Sequence, residues 1–87
     1  MLLALDVGNT RVTAGLFQAE TLKRSGRRLP TQELSSSSRA ERVLRRLFRS
    51  WSISPAQLSG SILSSVVPQV VAPLRAGLRG LSRSKVW

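Results

Sequence analysis

The stretch that most constrains this chain is Leu2 to Phe17, where an apolar run enters a short polar turn and leaves it again in alternation. Leu2-Leu3-Ala4-Leu5 has the composition of a buried strand, and Asp6 closes it with a carboxylate where another aliphatic would have continued the pattern. Gly8 allows a positive φ or a close approach of other groups, Asn9 tolerates the same left-handed region, and Thr10 adds a hydroxyl. From Arg11 onward, Val12, Ala14 and Leu16 fall on one side and Arg11, Thr13, Gly15 and Phe17 on the other. Two such strands around so short a turn predict an antiparallel hairpin with Asp6 to Thr10 at its tip.

A carboxylate at a strand end beside a Gly-Asn-Thr turn suits nucleotide chemistry. Turn N–H groups and the Thr10 hydroxyl can bond phosphate oxygens, while Asp6 can hold a hydrated cation that bridges those oxygens. The same residues also fit a plain type I′ hairpin turn whose Asp accepts backbone hydrogen bonds.

Downstream, Thr21 to Leu29 carries Lys23-Arg24-Ser25-Gly26-Arg27-Arg28 between two leucines, the pattern of a charged edge strand in which Gly26 permits a bulge. Pro30 and Ser35-Ser36-Ser37-Ser38 mark a flexible connection, with Ser38 as helix cap, Glu41 completing a capping box, and a helix starting at Arg39. Ala40, Val43, Leu44, Leu47, Phe48 and Trp51 then recur at the spacing of one helical face. Arg39, Arg42, Arg45, Arg46 and Arg49 cover the rest, either as a solvated surface or as a basic face for lipid or nucleic acid.

After a loop at Pro55, Ser61 to Val67 reads as a buried strand with a polar end. Pro68 stands at the first position of a second helix, whose apolar face is Val70, Val71, Leu74, Leu78 and Leu81. Ser64 and Ser65 lie where that strand meets the helix amino terminus, suited to an anion or simply to capping. Gly77 and Gly80 weaken the last turns of the helix, and Lys85-Val86-Trp87 reads as the opening of a further, truncated strand.

At 87 residues there is room for one small domain, its core mostly aliphatic because only two Phe and two Trp are present. Absence of Cys and His removes disulfides, thiol nucleophiles, zinc sites and the commonest neutral-pH base, so proton chemistry falls to Asp or Glu. A net charge of +10 raises nucleic acid or an acidic surface as partner, yet the basic residues run from Arg11 to Lys85 without forming one block, as a solvated coat would. No apolar stretch approaches the ~20 residues of a membrane span, and the expectation is a soluble cytoplasmic protein with no specific nucleic acid and no membrane as partner.

Leu3-Ala4-Leu5-Asp6-Val7-Gly8-Asn9-Thr10, followed by Gly15-Leu16-Phe17, closely resembles the amino terminus of type III pantothenate kinases. The likeness continues at Gly60-Ser61-Ile62-Leu63-Ser64-Ser65-Val66-Val67-Pro68, which is similar to the family's second strand-to-helix motif. The resemblance implies an α/β fold of the ribonuclease H-like (actin-like ATPase) kind. Residues 1–87 would form a single partial domain, a half-lobe in the order βββαβα with a truncated further strand. It implies that the full enzyme, a homodimer, transfers the γ-phosphoryl of ATP to pantothenate in the first step of coenzyme A synthesis. It further implies Mg-ATP as donor and a monovalent cation, potassium or ammonium. Asp6, Val7, Gly8, Asn9, Thr10, Arg11, Val12 and Thr13 would then bind the ATP phosphates, with Asp6 toward the metal. The family's catalytic aspartate lies in a Gly-x-Asp-Arg motif that this sequence does not contain, nor does it contain the adenosine motif. No catalytic residue is therefore carried over, and the 87 residues alone are expected to be inactive. The competing function is a small basic module binding nucleic acid or acidic surfaces, which requires the arginines on one face.

Overall fold

A computed structural model describes residues 1–19 and 21–87, together with the side chains of all of these except residues 25–27. The elements are β1 (Leu2–Val7), β2 (Arg11–Gln18), β3 (Thr21–Pro30), α1 (Ser37–Trp51), β4 (Gly60–Ser65), α2 (Pro68–Leu81) and β5 (Lys85–Val86), with short 3-10 turns at Thr31–Leu34 and Pro55–Gln57. The result is a mixed α/β fold with one sheet ordered β3-β2-β1-β4-β5. β2 runs antiparallel to β1 and to β3, whereas β4 is parallel to β1 and β5 parallel to β4.

Alternation in the hairpin decides which face is covered. Leu3, Leu5 and Val7 of β1 and Val12, Ala14 and Leu16 of β2 share one core with the buried residues of α1 and α2. Residues on the opposite face behave differently. Leu2 and Ala4 are half-buried, and Ile62 and Leu22 keep 44% and 47% of their surface. β1, read from its composition as a buried strand, is fully buried on one face only, because among the described residues both helices pack on the same face.

Helix α1 follows its periodicity, with all six apolar residues buried. Its start does not follow the predicted cap. Ser36, not Ser38, is the N-cap, its Oγ accepting from the Arg39 N–H at 3.3 Å, and the helix begins at Ser37. Four consecutive serines are equivalent as caps, so the choice falls to packing: Leu34 is fully buried just upstream and sets where the chain can turn into the helix. Glu41 forms no capping box; its carboxylate instead accepts from Arg45 Nε at 3.0 Å one turn later. The expected flexible connection is in part a 3-10 turn, Thr31–Leu34, with Thr31 and Leu34 both buried.

Gly77 is buried where α2 crosses α1. A Cβ there would lie 2.8 Å from Ala40 Cβ and 2.9 Å from the Glu41 backbone nitrogen, so this glycine sets the helix–helix distance rather than merely weakening α2. On the far edge, the β2–β3 register shifts between Ala14–Arg27 and Leu16–Arg24, placing a bulge at Ser25 and Gly26 as the edge-strand reading expected.

Candidate phosphate-binding site

The β1–β2 connection is a tight turn of Gly8, Asn9 and Thr10, with Val7 opposite Val12 as the last strand pair. The Gly8 N–H donates to the Arg11 carbonyl at 2.8 Å. Neither Gly8 nor Asn9 nor Thr10 has a positive φ, so the type I′ alternative, which needs left-handed central residues, does not describe this turn. Position 8 leaves little room for a side chain: a Cβ would stand 3.1 Å from the Arg11 oxygen, closer than ordinary van der Waals contact.

Three carbonyls at the turn are held by the protein. Val7 O accepts from the Val66 N–H at 3.1 Å, Gly8 O from Thr31 Oγ1 at 2.9 Å, and Thr10 O from the Thr31 N–H at 3.1 Å. Among the described residues, no acceptor takes the N–H of Asn9 or of Thr10, and both residues are exposed. With the Gly8 N–H engaged and the Asn9 carbonyl without a donor among the described residues, the Asn9 and Thr10 N–H groups are the turn's donors left for an anion.

Asp6 lies in register between Thr13 of β2 and Ser64 of β4, and all three are exposed on the face without helices. They border a shallow groove whose floor is Ala4, Gly15 and Ile62. Among the described residues, no N–H or hydroxyl donates to the Asp6 carboxylate, which therefore does not serve as a turn acceptor. The two serines of β4 part company. Ser65 Oγ accepts from the Val67 N–H at 2.9 Å and donates to the Val67 carbonyl at 3.0 Å, bracing the entry to α2, whereas Ser64 faces the groove beside Asp6.

Of the eight residues expected at the phosphates, the structure gathers Asp6, Gly8, Asn9, Thr10, Arg11 and Thr13 at the hairpin tip or on the uncovered face next to it. Val7 and Val12 are different: at 1% and 0% exposure their side chains belong to the core, so only their backbone can serve the site. Thr31 carried no local signal, since nothing in a Pro-Thr-Gln sequence announces a contact with Gly8, 23 residues earlier. Among the described residues no group of three acidic side chains could hold a metal by protein ligands alone. A single carboxylate is nevertheless the usual protein share of a Mg²⁺ that keeps waters and phosphate oxygens as its remaining ligands.

Among the described residues the arginines are divided over several elements, with the largest group on α1. Arg39, Arg42, Arg46 and Arg49 line the solvent side of α1, Arg45 reaches Glu41 and the Gly80 carbonyl, Arg24 sits on edge strand β3, and Arg75 Nη1 donates to Val86 O beside β5. No helix among the described residues is long and apolar enough to cross a membrane.

Fold and turn together define an α/β protein whose first hairpin offers two amides without acceptors among the described residues and a single carboxylate at the end of the central strand of its sheet. The family model for type III pantothenate kinase matches residues 2–86. Curated type III pantothenate kinases are similar to it: that of Anaeromyxobacter sp. (strain K) is 38% identical over 74 residues, covering 85% of this chain and 29% of the relative. That of Exiguobacterium sibiricum is 35% identical over the same shares, and that of Myxococcus xanthus is 35% identical over 82 residues, covering 94% of this chain and 30% of the relative. The chain belongs to the type III pantothenate kinase family. It spans about 30% of the length of these relatives.

Proposed function

We propose that this chain forms the phosphate-binding part of a kinase that transfers the γ-phosphoryl of ATP to pantothenate, opening coenzyme A synthesis. The observation that carries the reading is the pairing, among the described residues, of Asn9 and Thr10 amides without acceptors with an Asp6 carboxylate without a donor. In phosphoryl transfer, positioning and charge neutralisation supply most of the catalysis, and this hairpin offers both. Asn9 and Thr10 bind phosphate oxygens through backbone N–H groups, Arg11 adds a positive charge beside them, and Asp6 holds the hydrated Mg²⁺ of Mg-ATP with Thr13 and Ser64 alongside. The magnesium ion, when bound, neutralises charge on the phosphates.

The sheet order β3-β2-β1-β4-β5, with a hairpin at the phosphate turn, supports assigning the fold to the ribonuclease H-like, actin-like ATPase kind, with residues 1–87 as a half-lobe. Family membership supports a homodimeric enzyme with a monovalent-cation requirement, to which no residue of this chain is assigned. Because no Gly-x-Asp-Arg base is present, the 87 residues by themselves turn nothing over.

The test is a titration of the chain with ATP, with and without Mg²⁺, followed by amide NMR shifts. Shifts at Asn9 and Thr10 that strengthen with Mg²⁺ are expected, and Asp6→Asn should erase the Mg²⁺ dependence while the melting temperature stays nearly constant, since no hydrogen bond to the carboxylate is lost. A Mg²⁺-dependent response that survives Asp6→Asn defeats the assignment.

A further inference from the structure

Thr31 is buried at 4% exposure, at the start of a 3-10 turn on the far end of β3, and it makes two hydrogen bonds to the β1–β2 turn. Its Oγ1 donates to Gly8 O at 2.9 Å and its N–H to Thr10 O at 3.1 Å, both within ordinary hydrogen-bond length. We propose that Thr31 is the positioning residue of the phosphate turn: it holds the Gly8 and Thr10 carbonyls away from the ligand, which turns the Asn9 N–H, opposite the Gly8 carbonyl in the same trans peptide, toward it. The inference rests on the phosphate-binding reading above.

The reason is electrostatic. A carbonyl oxygen carries lone pairs and repels a phosphate oxygen, so a turn binds an anion well only if its carbonyls are aimed elsewhere and held there. The Gly8 and Thr10 carbonyls flank Asn9, and each needs a donor once it is turned from water; Asn9 O has none among the described residues and is not held by Thr31. One residue supplies both donors, from a strand end that reaches the tip only because β3 pairs with β2 as far as Arg11–Pro30. The third carbonyl, Val7 O, is held from the other side by Val66 N–H. Thr31 touches neither phosphate nor metal. It acts through the orientation of the Gly8 and Thr10 peptides.

The experiment compares wild type with Thr31→Val, which keeps the shape and loses the hydroxyl, and Thr31→Ser, which keeps the hydroxyl. A packing control, Leu34→Ala, loosens the same 3-10 turn without touching either hydrogen bond. Mg-ATP affinity and the exchange rate of the hydrogen-bonded Gly8 and Thr31 amides are measured by NMR on the 87-residue chain. Thr31→Val should weaken Mg-ATP about tenfold and speed exchange at the turn, consistent with one lost buried hydrogen bond. Thr31→Ser should restore both, and Leu34→Ala should lower the melting temperature while leaving affinity within about twofold once folded. Wild-type affinity in Thr31→Val overturns the proposal, as does Leu34→Ala weakening Mg-ATP as much as Thr31→Val. If wild type shows no response to Mg-ATP at the turn, the phosphate reading itself falls and takes the proposal with it.

Discussion

Gly77→Ala and Gly80→Ala put the same methyl group into the same helix three residues apart, and the structure predicts opposite signs. Alanine is favoured over glycine in a helix interior by about 1 kcal/mol, a gain common to both variants. At Gly77 the new Cβ stands 2.8 Å from Ala40 Cβ, 2.9 Å from Glu41 N and 3.2 Å from Ala40 C. Carbon atoms rest at roughly 3.5–4.0 Å, so α1 has to retreat by close to 1 Å along a backbone that anchors Leu44 and Phe48 in the core. Overpacking of this sort costs about 1–3 kcal/mol, which outweighs the propensity gain and leaves a net loss of about 1 kcal/mol. At Gly80, which is exposed, the methyl meets only the carboxylate end of Glu41. That flexible side chain can swing aside, surrendering an exposed Glu41–Arg45 pair worth about 0.3–0.5 kcal/mol, so Gly80→Ala ends about 0.5 kcal/mol more stable than wild type. Urea unfolding followed by circular dichroism reads both: with m near ~1 kcal/mol/M for a chain of this size, the midpoints should part by about 1.5 M. A Gly77→Ala chain as stable as wild type, or two variants shifted in the same direction, would refute the helix-crossing argument.

Two further outcomes are expected. Ser36→Ala should cost about 1 kcal/mol because the cap on Arg39 N–H is lost, while Ser38→Ala inside the helix should be neutral or slightly stabilising, and thermal unfolding separates the two. Binding to a mixed-sequence polyanion such as duplex DNA should be weak and sequence-independent and should fall steeply with salt, since arginines spread over several elements act through counterion release; tight selective binding that persists as salt is raised would restore the basic-module function.

The hairpin, the α1 face and the strand-to-helix passage at Pro68 were legible in the sequence because each rests on a local period or a local steric rule. Val12, Ala14 and Leu16 alternate, Ala40 to Trp51 recur every three or four residues, and proline at a first helical position loses no hydrogen bond. Recognition of the Asp6 to Thr10 string brought the family into view, and the family match over residues 2–86 agrees with it. Other features depend on groups far apart in the chain, for which no local pattern exists. Which of four equivalent serines caps α1 was decided by the burial of Leu34, and the meaning of Gly77 by where α2 crosses Ala40. The same holds for the turn itself. Sequence determined that a glycine, an amide side chain and a hydroxyl meet a carboxylate at a strand end, but not how the backbone between them is oriented. Tertiary structure decided that, by pairing β3 with β2 so that Thr31 reaches two turn carbonyls, and by setting β4 beside β1 so that Ser64 stands next to Asp6. A hydrogen bond between residues 8 and 31 exists only once the sheet between them has formed.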